Sequence, residues 1–310
     1  MAEYDDAFKT VVNDCKELLI PLVNEVFGEK FSMDARVEFE STEHTLNEPD
    51  GEQKKRYSDS VFRIVDEVTK KYHWECQTDT DSSMLIRLHE YNMNIAIDDA
   101  ILEKGSLKVF LPHTAVLYLK DRKTIPDTMS IEYIDEESGD SVKQQIHVMK
   151  LQRYSMEEIF RKELLLLLPF YIFHYQGRLK NVKTDKEAFE QMKQEFLSIK
   201  GRLEQFAKQG RITEFVKVTL LDMMDRVNRK FATNYKDIVK GLGDIMGGRI
   251  LETEARKILN EGRIKEYIEL RREDGYSEEQ IVSGIKERFH LTESEADRYI
   301  SEMLPVEILG

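Results

Sequence analysis

The chain reads as an α/β protein of the α+β kind, a mixed sheet with flanking helices followed by an all-helical region. Three observations predict this. Short alternating or β-branched runs recur between Ala35 and Leu151, helical stretches precede them at Ala7–Phe27 and divide them at Met84–Leu102, and strand patterns vanish after Met156. The expected order is α-β-β-β-α-β-β-β and then helices. The natural boundary lies near Tyr154, dividing the chain into residues 1–153 and 154–310.

The first helix is expected over Ala7–Phe27, with Phe8, Val11, Val12, Leu18, Leu19, Leu22 and Val26 at spacings near three and four, and Asp5 or Asp6 as a cap. A strand follows at Ala35–Ser41, where Val37 and Phe39 alternate. The polar stretch Thr42–Tyr57 reads as a loop. Asp59–Val65 and Tyr72–Thr78 read as a hairpin turning near Val68, Met84–Leu102 as a long helix, and Ala115–Leu119, Met129–Ile134 and Gln145–Leu151 as strands. Ser138-Gly139-Asp140 is the turn between the last two. Beyond the boundary, helices are expected at Glu157–Phe173, Asp185–Ala207, Thr213–Asn228 and Tyr235–Met246. Ser277…Gln280 and Thr292…Glu295 have the spacing of capping boxes. The glycines from Gly241 to Gly248 lack nucleotide-loop spacing and read as a helix-breaking connector.

Composition narrows the function classes. Of 310 residues, 41% are hydrophobic, ample for a core, and 34% are charged. The longest apolar run, Leu164–Phe173, is interrupted by Pro169 and is far below the roughly 20 residues a membrane helix needs. The start MAEYDDAFK is acidic where a secretory signal would be basic and then apolar. With two cysteines, Cys15 and Cys76, outside any metal-ligand spacing, it leads us to expect free thiols and a cytoplasmic location. The net charge of −13 weighs against phosphate contacts, yet residues 176–240 carry 15 Lys/Arg against 9 Asp/Glu. This basic stretch is equally a nucleic-acid face or a solvated helical surface.

The chemistry concentrates on the first hairpin. A turn near Val68 sets position 59 opposite position 77. Strand alternation then puts Asp59, Glu75 and Gln77 on one face. Two neighbouring carboxylates repel unless neutralised, and a Mg²⁺ or Mn²⁺ ion does so with oxygen ligands. Asp59, Glu75 and the backbone carbonyl of Cys76 are the candidate metal ligands. The Cys76 and Trp74 side chains should point to the opposite, buried face.

These residues also carry a resemblance. Asp59 before an apolar strand, followed by YHWECQTDTDSSMLIRLHEY, resembles the Rpn-type recombination-promoting nuclease and transposase-like group of the PD-(D/E)XK nuclease superfamily. The likeness continues through LPHTAVLYLKDRKTIPDTM and YSMEEIFRKELLLLLPFYIF into MGGRILETEARKILNEGRIKEYIELRREDGYSEEQI, nearly the whole chain. It implies a restriction-endonuclease-like α-β-β-β-α-β core and a metal-dependent endonuclease acting on DNA. The catalytic residues would be Asp59, Glu75, Gln77 and an acid on the first helix, with Glu25 the best candidate and Asp5 a weaker one. Arg87 and Tyr91, four apart on a helix, would contact phosphate and orient the site, or form a packing pair. Gln77 stands where the superfamily usually has lysine. It can orient a water but brings no charge. The alternative is a catalytically inactive nucleic-acid- or protein-binding member of the same fold. Lys54-Lys55-Arg56 would touch a DNA backbone or form a solvated loop. The C-terminal helices offer faces for a homo-oligomer.

Overall fold

The computed structural model describes residues 2–40, 43–47, 53–57, 60–179, 186–246, 248–289 and 291–303. For residues 2, 3, 5, 43–47, 53–57, 248–256, 259 and 273 it describes the backbone alone. The N-terminal helical stretch is two helices, α1 (Ala2–Asp14) and α2 (Leu19–Phe27), joined through a 3₁₀ turn at Lys16–Leu18. A single helix over Ala7–Phe27 is thereby corrected. Pro21 lacks an N–H, and its ring excludes the carbonyl four residues earlier from a continuous helix. The predicted apolar positions from Phe8 to Leu22 are nonetheless buried. Because α1 begins at Ala2, Asp5 and Asp6 lie within it instead of capping it. Gly28, with φ of 68°, closes α2 in the left-handed conformation.

Six strands form the main sheet: β1 (Arg36–Phe39), β4 (Ser60–Val65), β5 (Lys70–Gln77), β8 (His113–Tyr118), β10 (Ser141–Lys150) and β9 (Thr128–Ile134), in that spatial order. β1, β4 and β5 are antiparallel, β5, β8 and β10 are parallel, and β9 returns antiparallel to β10. The stretch 42–57, expected as a loop, holds the paired strands β2 (Glu43–Asn47) and β3 (Gln53–Tyr57). Their mostly polar residues give no apolar alternation for a sequence to show. The helix expected to run to Leu102 stops earlier, as α3 (Met84–Asp98). Ile101–Glu103 (β6) then pairs with Ser106–Lys108 (β7) around Gly105, whose φ is 80°. The Ser138-Gly139-Asp140 turn is present, with Gly139 N–H donating to the Asp135 carbonyl at 2.8 Å.

The β4–β5 register also corrects the prediction. Ser60 lies opposite Trp74, so the hairpin turns at residue 67 and is shifted two positions from the expected pairing. An even shift preserves which side chains share a face. Tyr72, Trp74 and Cys76 face the main core beneath α1 and α2, as anticipated for Trp74 and Cys76. His73, Glu75 and Gln77 face α3.

After β10 the chain is helical. α4 (Met156–Arg161) is closed at its start by a Ser155–Glu158 capping box. It is not the first part of a helix reaching Phe173. The backbone turns at Glu163, with φ of 57°, and a buried 3₁₀ segment containing Pro169 spans Leu165–Tyr175. Next come α5 (Lys186–Lys208), α6 (Glu214–Phe231), α7 (Lys236–Met246), α8 (Gly248–Glu273), α9 (Glu278–Phe289) and α10 (Glu293–Glu302). Both predicted capping boxes form, at Ser277–Gln280 and Thr292–Glu295. Gly241 and Gly243 lie inside α7 and do not break it. A Cβ at Gly241 would sit 2.8 Å from the Phe189 ring, so the missing side chain permits a close approach to α5.

One apolar cluster runs from Phe8 and Trp74 through the 3₁₀ segment to Met224 and Leu242, crossing residues 153–154 without interruption. Smaller clusters lie between α3 and the other sheet face, and within α8–α10. Among the described residues no helix is long and apolar enough to cross a membrane. Both cysteines are buried free thiols.

Candidate functional site on the α3 face of β5

The polar face of β5 is a buried row. His73, Glu75 and Gln77 are 0%, 3% and 8% exposed, values that apolar side chains normally reach. Burying polar groups is costly unless they are hydrogen-bonded. α3 supplies part of the remedy. Its Leu88, Tyr91, Asn92 and Ile95 are buried against the sheet, and Asn92 reaches His73 Nδ1 through its amide at 2.8 Å. The other imidazole nitrogen, Nε2, lies 3.1 Å from Glu75 Oε1. Thr114, opposite His73 in the β5–β8 register, places its hydroxyl 3.0 Å from the Asn92 amide and 3.2 Å from the Pro112 carbonyl. The Tyr91 ring closes over His73 edge-on, with centroids 5.9 Å apart.

This chain of contacts selects a tautomer. With Oδ1 toward His73, the Asn92 Nδ2 is buried without an acceptor. Turning the amide over directs Nδ2 at both His73 Nδ1 and Thr114 Oγ1. The Thr114 hydroxyl then donates to the Pro112 carbonyl, and His73 Nε2–H donates to the Glu75 carboxylate. The imidazole thus holds one carboxylate oxygen in a fixed direction from inside the protein.

Gln77 opens toward the rim where β5 ends. There Asp79 contacts Arg122 at 2.8 Å and Lys120 at 3.3 Å, and Asp81 contacts Arg87 at 3.4 Å. Burial alone would raise Asp79. The Thr80 N–H, Lys120 and Arg122 outweigh it and hold the carboxyl below the usual range. The Ser83 hydroxyl and N–H lower Asp81, with Arg87 contributing. Burial, with the Asp81 charge, raises the Tyr118 phenol beside Gln77.

The predicted residues therefore fall into three groups. Glu75 and Gln77 share a buried face, with Tyr91 and Arg87 on the helix above it. Cys76 contributes backbone between them while its side chain enters the core. Glu25 is not brought to this face. It belongs to α2, on the opposite side of the sheet, where Tyr154 donates to it at 3.2 Å and Lys162 pairs with it. Asp59 lies outside the described residues, as do the side chains of Asp5, Lys54, Lys55 and Arg56. His73, Asn92 and Thr114 were not anticipated. His73 shares the parity of Glu75 two residues away, and that signal was available.

Among the described residues no group of three or more His, Cys, Asp or Glu side chains is arranged to hold a metal. The donors that are present, the Glu75 carboxylate, the Gln77 amide oxygen and the Cys76 carbonyl, are hard oxygens that suit Mg²⁺ or Mn²⁺ better than a soft ion. Compared with known protein families, curated proteins and solved structures, the chain matches none.

A separate cavity of about 1140 Å³ lies between α1, β1 and α8–α9. Its wall mixes charges, including Asp14 paired with Arg263 at 2.6 Å and the half-buried Glu266. Burial, reinforced by Asp14, Glu17 and Glu269 against the pull of Lys16, pushes Glu266 up to about 7. A carboxyl raised in the folded state favours folding while protonated. Its contribution is complete below the ordinary 4.5 and is lost as pH rises through about 7. Glu266→Gln is expected to raise the melting temperature at pH 8 and leave it unchanged at pH 4. Equal shifts at both pH values would contradict the assignment.

Proposed function

We propose that this chain is a divalent-metal-dependent DNA endonuclease of the PD-(D/E)XK type, allied to the Rpn-type group and built on a restriction-endonuclease-like core. The observation that carries the proposal is the placement of Glu75 and Gln77 on one buried face of the central strand β5, beneath the helix that bears Arg87 and Tyr91. The order of helices and strands up to β8 supports it, once the two small hairpins are set aside. Asp59, Glu75 and the Cys76 carbonyl would hold the ion. When bound, Mg²⁺ supplies Lewis-acid polarisation of a phosphoryl oxygen and a water of lowered pKa. His73 fixes the direction of the Glu75 carboxylate. Gln77 orients the attacking water through its amide and adds no charge. Arg87, whose buried Nε meets no acceptor among the described residues, offers its guanidinium to a phosphate. Purified protein incubated with plasmid DNA and Mg²⁺ or Mn²⁺ is expected to cleave it. Asp59→Ala and Glu75→Ala should each lose about a hundredfold or more, the scale on which single stabilising groups act. Equal cleavage by all three proteins would sink the proposal.

The burial of Glu75 and its contact with His73, together with the uncharged Gln77, favour a second reading, an inactive binding member of the same fold. Calorimetric titration with Mn²⁺ separates the two. Binding that depends on Asp59 favours the enzyme, and no binding at millimolar metal favours the module.

A further inference from the structure

Three polar groups at the rim where β5 ends are buried without partners. Gln77 and Tyr118 are neighbours in the β5–β8 ladder, so their side chains leave the sheet on the same face, one strand apart. Gln77 is 8% exposed and Tyr118 2%. Among the described residues neither the Gln77 amide nor the Tyr118 phenol makes a hydrogen bond, and Arg87 Nε is buried without an acceptor. A buried tyrosine hydroxyl ordinarily finds a partner, and each buried group left unpaired costs stability. The three groups also converge. The Tyr118 ring packs with Met84 and Leu88 of α3, and Arg87 lies against Met84 Sδ through Nη2 at 3.8 Å. The Tyr118 phenol thereby comes within the field of Arg87 and Asp81.

What the three groups lack is an acceptor. The phenol, the guanidinium and the amide nitrogen all donate. α3 adds to them. It runs for 15 residues from Met84 with no side-chain cap at Ser83, and its first turn is open to solvent at Leu85 and Ile86, so its partial positive charge faces the same rim. The nearby acids do not fill the gap. Asp81 gives Oδ1 to the Ser83 N–H and hydroxyl at 2.8 and 2.7 Å and stays 3.4 Å from Arg87, while Asp79 is taken by Lys120 and Arg122. In a chain of net charge −13, this rim sets three cations against two acids. We infer that the Tyr118 phenol, Arg87 and the first turn of α3 form a subsite for a phosphate oxyanion, with Gln77 on its border with Glu75. A phosphate accepts from all these donors at once, which a water cannot, and Arg87 is free to turn to it because its hold on Asp81 is long. That the phosphate belongs to a nucleic-acid backbone rests on the nuclease reading. That an oxyanion binds does not.

Calorimetric titration of the full chain with inorganic phosphate tests this, in EDTA and with sodium chloride holding the ionic strength constant. The wild type is expected to bind in the millimolar range. Tyr118→Phe keeps the packed ring and removes only the hydroxyl. It should weaken binding about tenfold, and Arg87→Gln at least as much, the scale of hydrogen bonds to charged groups. Both variants should keep the wild-type circular dichroism spectrum. The second probe is a fluorescein-labelled DNA duplex followed by anisotropy in the same buffer. Weaker binding of phosphate and of duplex by both variants supports the subsite and its nucleic-acid ligand together. Phosphate binding that both substitutions weaken, with no duplex binding, supports the subsite and counts against the nuclease reading. No phosphate binding by the wild type at tens of millimolar overturns the subsite, even if plasmid is cleaved. Equal phosphate affinity in the wild type and both variants overturns it too, by placing the ion elsewhere.

Discussion

Trp74→Ala is expected to cost about 3–5 kcal/mol of folding stability, a large share of the 5–15 kcal/mol typical of a native protein. Trp74 is fully buried on the core face of β5, with the Phe27 ring 6.1 Å away. Its ladder neighbours are Ser60 and Ala115, too small to collapse into the space an indole leaves. Transfer and cavity costs therefore add. Trp74→Phe should cost clearly less than Trp74→Ala, because a phenyl ring still fills most of the space the indole occupied and leaves a smaller cavity. It also removes an indole N–H that is buried without an acceptor. Trp74 is the only tryptophan, so its fluorescence reports the wild-type transition, and circular dichroism in urea compares the variants. Equal midpoints for the alanine and phenylalanine variants would contradict this account of the core.

His73→Ala is expected to cost about 3–5 kcal/mol by a different route. It removes the imidazole donor from a carboxylate that is 3% exposed, and taking a hydrogen-bond donor away from a buried charged group costs the desolvation penalty of that group. Adding Glu75→Gln to His73→Ala should recover part of the loss, because a neutral amide is cheaper to bury than a carboxylate. A double-mutant cycle read by urea unfolding should give a coupling above about 1 kcal/mol between positions 73 and 75. Strict additivity of the two substitutions would show that the imidazole does not support Glu75.

The parts of the fold legible in the sequence are those where one face meets the core. Strands β4, β5, β8, β9 and β10 were visible because alternation or β-branched runs mark burial. Trp74 and Cys76 were placed on the correct face by parity alone. The hairpins β2–β3 and β6–β7 escaped for opposite reasons. The first is too polar to alternate. In the second, apolar residues directly follow a helix and read as its continuation. The helix breaks at residues 15–18 and at Glu163 were hidden under strong apolar periodicity, because a 3₁₀ segment buries the same leucines a helix would. Of the candidate site, the shared face of Glu75 and Gln77 was legible, since parity survives a two-residue slip in register. Its support was not, because Asn92 and Thr114 come from a helix and a strand distant in sequence, and only tertiary packing brings them to His73. Glu25 failed for the same reason. Nothing local says that its partners are Tyr154 and Lys162.

The continuous core has a consequence for synthesis on the ribosome. Phe8, Val11 and Val12 of α1 are covered in part by α6, with Val216 and Leu220 in the same cluster, and Asp14 is tied to Arg263, 249 residues later. At about 5–20 residues per second, roughly 10–40 s separate emergence of the first helix from emergence of its cover. During that interval an amphipathic helix waits with its apolar face open. The nascent chain is then a substrate for holding chaperones, and slowing translation before residue 216 should increase aggregation more than slowing it afterwards.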